Sequence, residues 1–269
     1  MHDKHLIKNK SIKLNSNLKP SIGLKVTNAN LAYKNNVVFN NLSADIVGGQ
    51  WTCILGPSGV GKSTLLRMIA GLEQTDNSKT ITTSDGFNPT KFISWMSQQD
   101  LLLPWLSVSQ NISLGNKLRK EPIDYTYINS LLVEVGLDQR SESLPGTLSG
   151  GQRQRVALAR TLMEGRPVVL MDEPFSAIDA ITRSRLQELA SSLLQGRTVL
   201  HVTHDPLEAL RLGHNIHILT GRPAHLGHVI HPPGKTPRDP TKPELRNLHL
   251  EILDQLSYAS EEASRAGIQ

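Results

Sequence analysis

Apolar and polar residues alternate along Leu24–Tyr33 and again along Val37–Val47, with β-branched side chains interleaved. A two-residue period predicts a strand in each, and the short apolar run Trp51–Leu55 predicts a third. The period changes between Lys62 and Ala70, where Leu65, Leu66 and Ile69 fall on one helical face. Thr75–Pro89 is polar and reads as loop or weak edge strands, and Lys91–Met96 as a further strand. Helical patterns follow at about Val108–Leu118, Tyr125–Val135 and Gly150–Met163.

From Val168 the classes alternate strictly: strand Val168–Met171, helix Ala180–Leu194, strand Thr198–Val202, helix Pro206–Leu212, strand Asn215–Leu219. This order predicts parallel strands joined by crossover helices. Asp205, Pro206 and Glu208 supply a helix start, with an N-cap carboxylate, a proline at the first helical position and an acid at the third. Beyond Gly221, HPPGKTPRDPTKP (His231–Pro243) is a proline-rich loop, and a final amphipathic helix follows around Glu244–Leu256. The β-rich first part and the later β/α part read as two layers of one domain. The helices between Ser107 and Leu137 read as a separate lobe.

One stretch departs from these periods. In SQQDLLLPWLSV, Ser97–Val108, two glutamines and an acid precede Leu101–Trp105, every residue of which is apolar or proline. Pro104 removes a ladder donor and argues against a buried strand. The segment is either a functional contact or a loop that tucks its apolar side chains into the core.

Composition narrows the class. The length of 269 residues suits one main domain with an appendage. No apolar run approaches the roughly 20 residues that cross a bilayer, so the chain cannot form a membrane pore alone. The first residues lack the apolar stretch of a secretory signal, and a lone Cys53 excludes an internal disulfide framework; both predict cytoplasmic residence. The net charge of +5 is mostly a tail, because residues 1–22 carry Lys4, Lys8, Lys10, Lys13 and Lys19 against Asp3. That tail is expected to be a disordered, solvated basic segment, with attraction to anionic lipid as the sharper alternative. The nearly balanced remainder does not call for a nucleic-acid partner.

GPSGVGKST, Gly56–Thr64, falls between a predicted strand and a predicted helix and matches the glycine-rich phosphate-binding loop. The glycines allow backbone N–H groups to converge on phosphate oxygens at the positive end of the helix dipole. Lys62 is expected to reach the β- and γ-phosphates and Ser63 to bind Mg²⁺. VVLMDEP, Val168–Pro174, ends a second strand on two acids, at the strand end where ligands bind in α/β sheets. Asp172 suits Mg²⁺ through water, and Glu173 is placed to deprotonate or orient an attacking water. LSGGQRQR, Leu148–Arg155, sets an N-cap candidate, Ser149, before two glycines and an apolar helix face of Val156, Ala159, Leu162 and Met163. Each glycine costs a helix roughly 1 kcal/mol relative to alanine, so this start must need bare backbone. An anion is the natural ligand, although the chain already holds one phosphate loop.

With LSGGQ the chain resembles the nucleotide-binding subunit of ATP-binding-cassette (ABC) transporters over about residues 24–220. The resemblance implies an α/β P-loop NTPase cassette: a mixed RecA-like core sheet, an N-terminal antiparallel β layer and a helical signature lobe at about residues 100–160. The domain would span 23–230 and the appendage 231–269. The cofactors implied are ATP and Mg²⁺, with the nucleotide held by Gly56, Pro57, Ser58, Gly59, Val60, Gly61, Lys62, Ser63 and Thr64. The family dimerises head to tail, so Ser149, Gly150, Gly151 and Gln152 of one subunit would close on the γ-phosphate held by the other. That explains the second anion site. Tyr33 resembles the aromatic that stacks on adenine, and His204 the switch histidine that contacts the γ-phosphate. Gln98 resembles the glutamine that senses Mg²⁺ and water, with Gln99 leaving the register open by one residue. Ser176-Ala177-Ile178-Asp179 resembles the loop that communicates across the dimer, with Ile178 where leucine is usual.

The activity implied is ATP hydrolysis energising an importer at the cytoplasmic side of the inner membrane. Its partners are a second ATPase subunit, separate transmembrane permease subunits and a periplasmic or extracellular solute-binding protein. Leu101–Leu106 would shape the groove for a short cytoplasmic helix of the permease. The Leu-Leu-Pro-Trp run and the Gly-Arg-Pro and Pro-Arg-Asp-Pro segments resemble the nitrate, sulfonate and taurine importer group, which includes carriers of thiamin-precursor pyrimidines, the cargo favoured here. An exporter subunit, a soluble non-transport ATPase and a cassette without turnover are the alternatives. His225, His228 and His231 lie among Gly227, Pro232 and Pro233, which argues against a helical metal site. Cys53 is expected in the core, and Arg153, Arg155 and Arg160 are expected to solvate the signature helix.

Overall fold

The computed structural model describes residues 21–34, 36–73, 80–176 and 178–266. The basic tail falls outside the described residues, except for Ser21 and Ile22. Strands β1 (Leu24–Tyr33), β2 (Asn36–Ile46) and β4 (Ile81–Thr83) form a three-stranded antiparallel sheet in the order β2-β1-β4. β4 is the weak edge strand anticipated in the polar stretch before Pro89. The second sheet has six strands, β5-β6-β7-β3-β8-β9, drawn from Ile93–Met96, Val168–Asp172, Thr198–Val202, Trp51–Leu55, Asn215–Thr220 and His225–Leu226. All its pairs are parallel except β8 with β9. Every residue of β3 and β7 is buried, as continuous apolar runs covered on both faces should be. β9 was not anticipated; its two residues give too little pattern to read.

Helix α1 (Lys62–Ile69) follows β3, α6 (Ala180–Leu193) joins β6 to β7, and α7 (Pro206–Leu212) joins β7 to β8. Asp205 caps α7, accepting from Leu207 N and Glu208 N. The last helix, α8 (Pro243–Ala266), lays Leu245, Ile252 and Ala259 into the core beside α7 and β8. Buried Arg238 secures the proline-rich loop by donating to the carbonyl oxygens of Leu210, Gly213, Pro232 and Pro233.

The helical lobe holds α2 (Val108–Ile112), α3 (Leu114–Arg119), α4 (Tyr125–Glu134) and α5 (Gly150–Met163). The single helix expected over Val108–Leu118 is broken at Ser113, whose backbone sits at φ −83°, ψ 1°. Ser113 Oγ bonds back to the Ser109 carbonyl at 3.0 Å, a contact that bends helices. Fully buried Asn111 grips the preceding loop: its Nδ2 donates to the carbonyls of Leu103, Leu106 and Ser107, and its Oδ1 accepts from Leu103 N. The lobe is distinct along the chain but continuous in packing, since Ile112, Ile128, Leu131 and Leu158 share one apolar cluster with Met171, Phe175 and Val199 of the sheet region.

Candidate active site

The carboxyl ends of β3, β6 and β7 lie side by side, and each turns into a loop carrying a polar group. After β3 the chain enters Gly56, where a Cβ would lie 2.5 Å from the Leu219 carbonyl oxygen, so only glycine lets the loop pass the sheet there. At the start of α1, Gly61 offers no side-chain cap, and no acid stands in the first turn. Its N–H groups are left for an anion. The Lys62 ammonium is folded onto the same loop, donating to Gly56 O at 2.8 Å and Pro57 O at 2.9 Å. Burial holds its pKa below the usual lysine range, while the Glu173 and Asp172 carboxylates oppose that shift.

After β6, Asp172 Oδ1 accepts from Ser63 Oγ at 2.9 Å. Burial raises the Asp172 carboxyl above its ordinary range; the Ser63 hydrogen bond and the Lys62 charge pull it down, and Glu173 raises it further. Two oxygen donors this close, one of them a carboxylate, suit a hard divalent cation. Glu173 takes a left-handed backbone, φ 46°, rare for a side chain of its size and anchored by Glu173 N on Val202 O at 3.0 Å. Its carboxylate meets His204 Nδ1 at 2.9 Å, with His204 itself largely exposed. Gln98 Nε2 donates to Ser176 Oγ at 3.2 Å, and Ser176 Oγ donates to the Glu173 carbonyl at 2.9 Å. Gln98 rather than Gln99 therefore connects to the acidic loop.

Tyr33 ends β1 with 44% of its surface exposed, its hydroxyl facing Glu73 and Thr64. Asp179 caps α6 by accepting from Thr182 N at 3.0 Å, which keeps its carboxyl below the ordinary range. Ser149 caps α5 through a capping box: Gln152 N donates to Ser149 Oγ, and Ser149 N donates to Gln152 Oε1. Gly151 has an internal reason to be glycine, because a Cβ there would lie 2.5 Å from Thr182 Cγ2 on α6. Gly150 faces open space, with nothing nearer than Arg153 Nη2 at 3.9 Å. Only Gly150 is left to the anion argument on steric grounds. Gly151→Ala is expected to destabilise the chain by about 1–2 kcal/mol, overpacking being partly offset by helix propensity. Urea unfolding measures it, and an unchanged midpoint would show that Thr182 yields. Among the described residues, no hydrogen bond or ion pair joins Ser149–Gln152 to Gly56–Thr64 within the chain.

Three arginines depart from their expected role as solvated charges. Arg153 pairs with Asp100 at 2.9 Å, Arg160 donates to the carbonyls of Asp100 and Leu101, and Arg155 reaches Val135 O at the end of α4. For Arg155 and Arg160 the cause is backbone demand, since the carbonyls they reach have no helix or ladder partner; for Arg153 it is the Asp100 carboxylate. The seven-residue interval from Arg153 to Arg160, two helical turns, was the available signal. Cys53 is fully buried, and burial drives its thiol pKa far up. His225 lies in β9, with His228 and His231 in the loop beyond.

A strand, a glycine loop, an uncapped helix and an Asp–Ser pair at the carboxyl ends of parallel strands define a P-loop nucleotide-binding domain. A family profile described as ABC transporter matches residues 39–176. The chain is 41% identical over 240 residues to an uncharacterised ABC transporter ATP-binding protein of Haemophilus influenzae, covering 87% of this chain and 98% of that protein. It is 40% identical to the aliphatic sulfonates import ATP-binding protein SsuB 1 of Rhodococcus jostii, over 88% of this chain and 95% of that one. Among solved structures, cbiO1 of Clostridium perfringens, part of the ABC transporter complex cbiONQ, superposes with a TM-score of 0.69 at 25% identity, covering 80% of this chain and 90% of that one. The cassette MJ0796, solved as a dimer in a post-hydrolysis state with ADP and Pi, gives 0.67 at 28% identity, covering 79% and 100%. The chain belongs to the ABC transporter family, and its fold is that of the family's ATPase domains.

Proposed function

We propose that the chain is the ATP-hydrolysing subunit of an importer for a small polar solute, with aliphatic sulfonates the favoured class. The observation that carries the enzymatic part is the convergence of Lys62, Ser63, Asp172, Glu173 and His204, linked by contacts of 2.9 Å between Ser63 and Asp172 and between Glu173 and His204. In this reading the Glu173 carboxylate takes a proton from water as its oxygen bonds to the γ-phosphorus, and the bond to the β–γ bridging oxygen breaks to release ADP and phosphate. Lys62 and the first turn of α1 stabilise charge on the phosphates, His204 contacts the transferring group, and Gln98 positions the water. Mg²⁺ bound at Ser63 and, through water, at Asp172 would neutralise phosphate charge. Tyr33 would stack on adenine.

Among the described residues, no hydrogen bond or ion pair ties Ser149–Gln152 to the phosphate loop of its own chain, which supports a head-to-tail homodimer in which each signature helix and Asp179 complete the partner's site. No helix among the described residues is long and apolar enough to cross a membrane. In this reading, separate permease subunits carry the path. A solute-binding protein outside the membrane would deliver cargo, and the chain would work at the cytoplasmic face of the inner membrane. The sulfonate relatives favour that class over a thiamin-precursor pyrimidine. A ligand screen of the solute-binding protein that assembles with this importer should return an alkanesulfonate; selection of a pyrimidine instead would reverse the order.

The permease-docking reading is sharpened by burial. Leu102 turns into the core, while Leu101 and Trp105 are 57% and 71% exposed on a loop held by Asn111. Trp105→Ser, alone or with Leu103→Ser, should leave ATP binding by the isolated subunit unchanged and weaken co-purification with the permease at least about tenfold, as loss of an aromatic hot spot does. Undiminished co-purification and transport would return the loop to ordinary packing.

A further inference from the structure

β5 is an edge strand of its sheet and ends at Met96, so the carbonyls that follow have no ladder partner. Side chains of α5 supply donors. Gln154 Nε2 donates to Gln98 O at 2.9 Å, Arg160 Nη2 to Asp100 O at 2.6 Å and Arg160 Nη1 to Leu101 O at 2.9 Å. Arg153 Nε closes on the Asp100 carboxylate at 2.9 Å, while its Nη1 donates to Leu148 O at 2.8 Å, immediately before the signature serine. Leu101 holds φ 46°, a conformation that leucine keeps only where its surroundings impose it.

Satisfying two carbonyls requires only two donors, which water supplies at a surface. A planar guanidinium across successive carbonyls, with a second arginine on the intervening carboxylate, fixes direction as well. The other end of the segment is equally constrained, since the Gln98 amide sits on Ser176, which sits on the Glu173 carbonyl. Backbone and side chain of one glutamine are thus tied to two elements, α5 and the acidic loop.

We propose that Arg160, supported by Arg153 and Gln154, is a positioning residue for ATP hydrolysis: it locks residues 98–101 to the signature helix and so holds Gln98 beside Glu173. The assignment rests on the ATPase reading given above. It ties the loop that exposes Leu101 and Trp105 to the helix that Ser149 caps, so displacement of either is felt at Gln98.

The test compares steady-state ATP hydrolysis by the full chain, Arg160→Met, Gln98→Ala and the double variant. Arg160→Met should lower kcat about tenfold, with KM for ATP within about twofold. The double variant should be no slower than Gln98→Ala, because both substitutions remove the same function. A purely structural arginine gives multiplied losses. Parental kcat in Arg160→Met, a loss confined to KM, or multiplied losses in the double variant overturns the assignment. Where Arg160→Met does not fold, Arg160→Lys is read in the same way, since it keeps the cation but offers one nitrogen to two carbonyls. A parental chain without Mg²⁺-dependent hydrolysis overturns the ATPase reading and this assignment together; an active parent with an indifferent Arg160 overturns this assignment alone.

Discussion

Glu173→Gln is expected to retain ATP binding and to slow turnover by about 10²–10⁴-fold, the range for a lost general base. The substitution is nearly isosteric, and the anchoring bond from Glu173 N to Val202 O belongs to the backbone, so the left-handed turn survives. The amide can still meet His204 Nδ1 where the carboxylate stood. What disappears is the capacity to accept a proton from water. Equilibrium binding of a fluorescent ATP analogue and single-turnover hydrolysis separate the two effects; hydrolysis at the parental rate would remove Glu173 from the role of base.

Lys62→Ala should weaken ATP binding by on the order of 10²-fold or more, the worth of one to two charge-assisted hydrogen bonds to phosphate. The ammonium rests on Gly56 O and Pro57 O, two of the contacts that its three N–H donors can make. The buried cation is thus stored beside the phosphate loop, its pKa lowered by burial against the opposing pull of Glu173 and Asp172. Titration calorimetry with ATP checks the affinity, and thermal melting shows whether the fold persists. An affinity within about threefold of the parent would mean that the backbone amides alone bind the phosphates.

Local backbone chemistry explains why so much of this site could be read from residues in order. A phosphate nest needs glycines, a lysine and a hydroxyl at fixed offsets between a strand and a helix, and Gly56–Ser63 has them at those offsets. Buried parallel strands leave continuous apolar runs, so β3, β6 and β7 were found within a residue of their bounds. Capping is equally local, which is why Ser149 and Asp205 were recognisable.

Side-chain partners far apart in the chain were a different matter. Two histidines, His201 and His204, stand within four residues, and nothing local separates their roles except the strand end. In the fold, His201 is fully buried between Trp51 and Phe175 and bonds Glu208, which also accepts from Gln187 on α6. His204, past the strand, meets Glu173. Likewise, Arg160 reads as surface charge until the carbonyls of Asp100 and Leu101, about 60 residues earlier, are brought to it. Gly151 reads as anion-binding backbone until Thr182 is seen against it.

Periodicity and motif spacing thus carried the strand and helix order, the phosphate loop, the acids after β6 and the signature helix start, because each depends on neighbours within a few residues. Folding in three dimensions assigned the donors of α5 to the Gln98 segment, buried Leu102 while exposing Trp105, and paired His201 with Glu208 and His204 with Glu173. These depend on which distant backbone groups lack partners, and no local period records that.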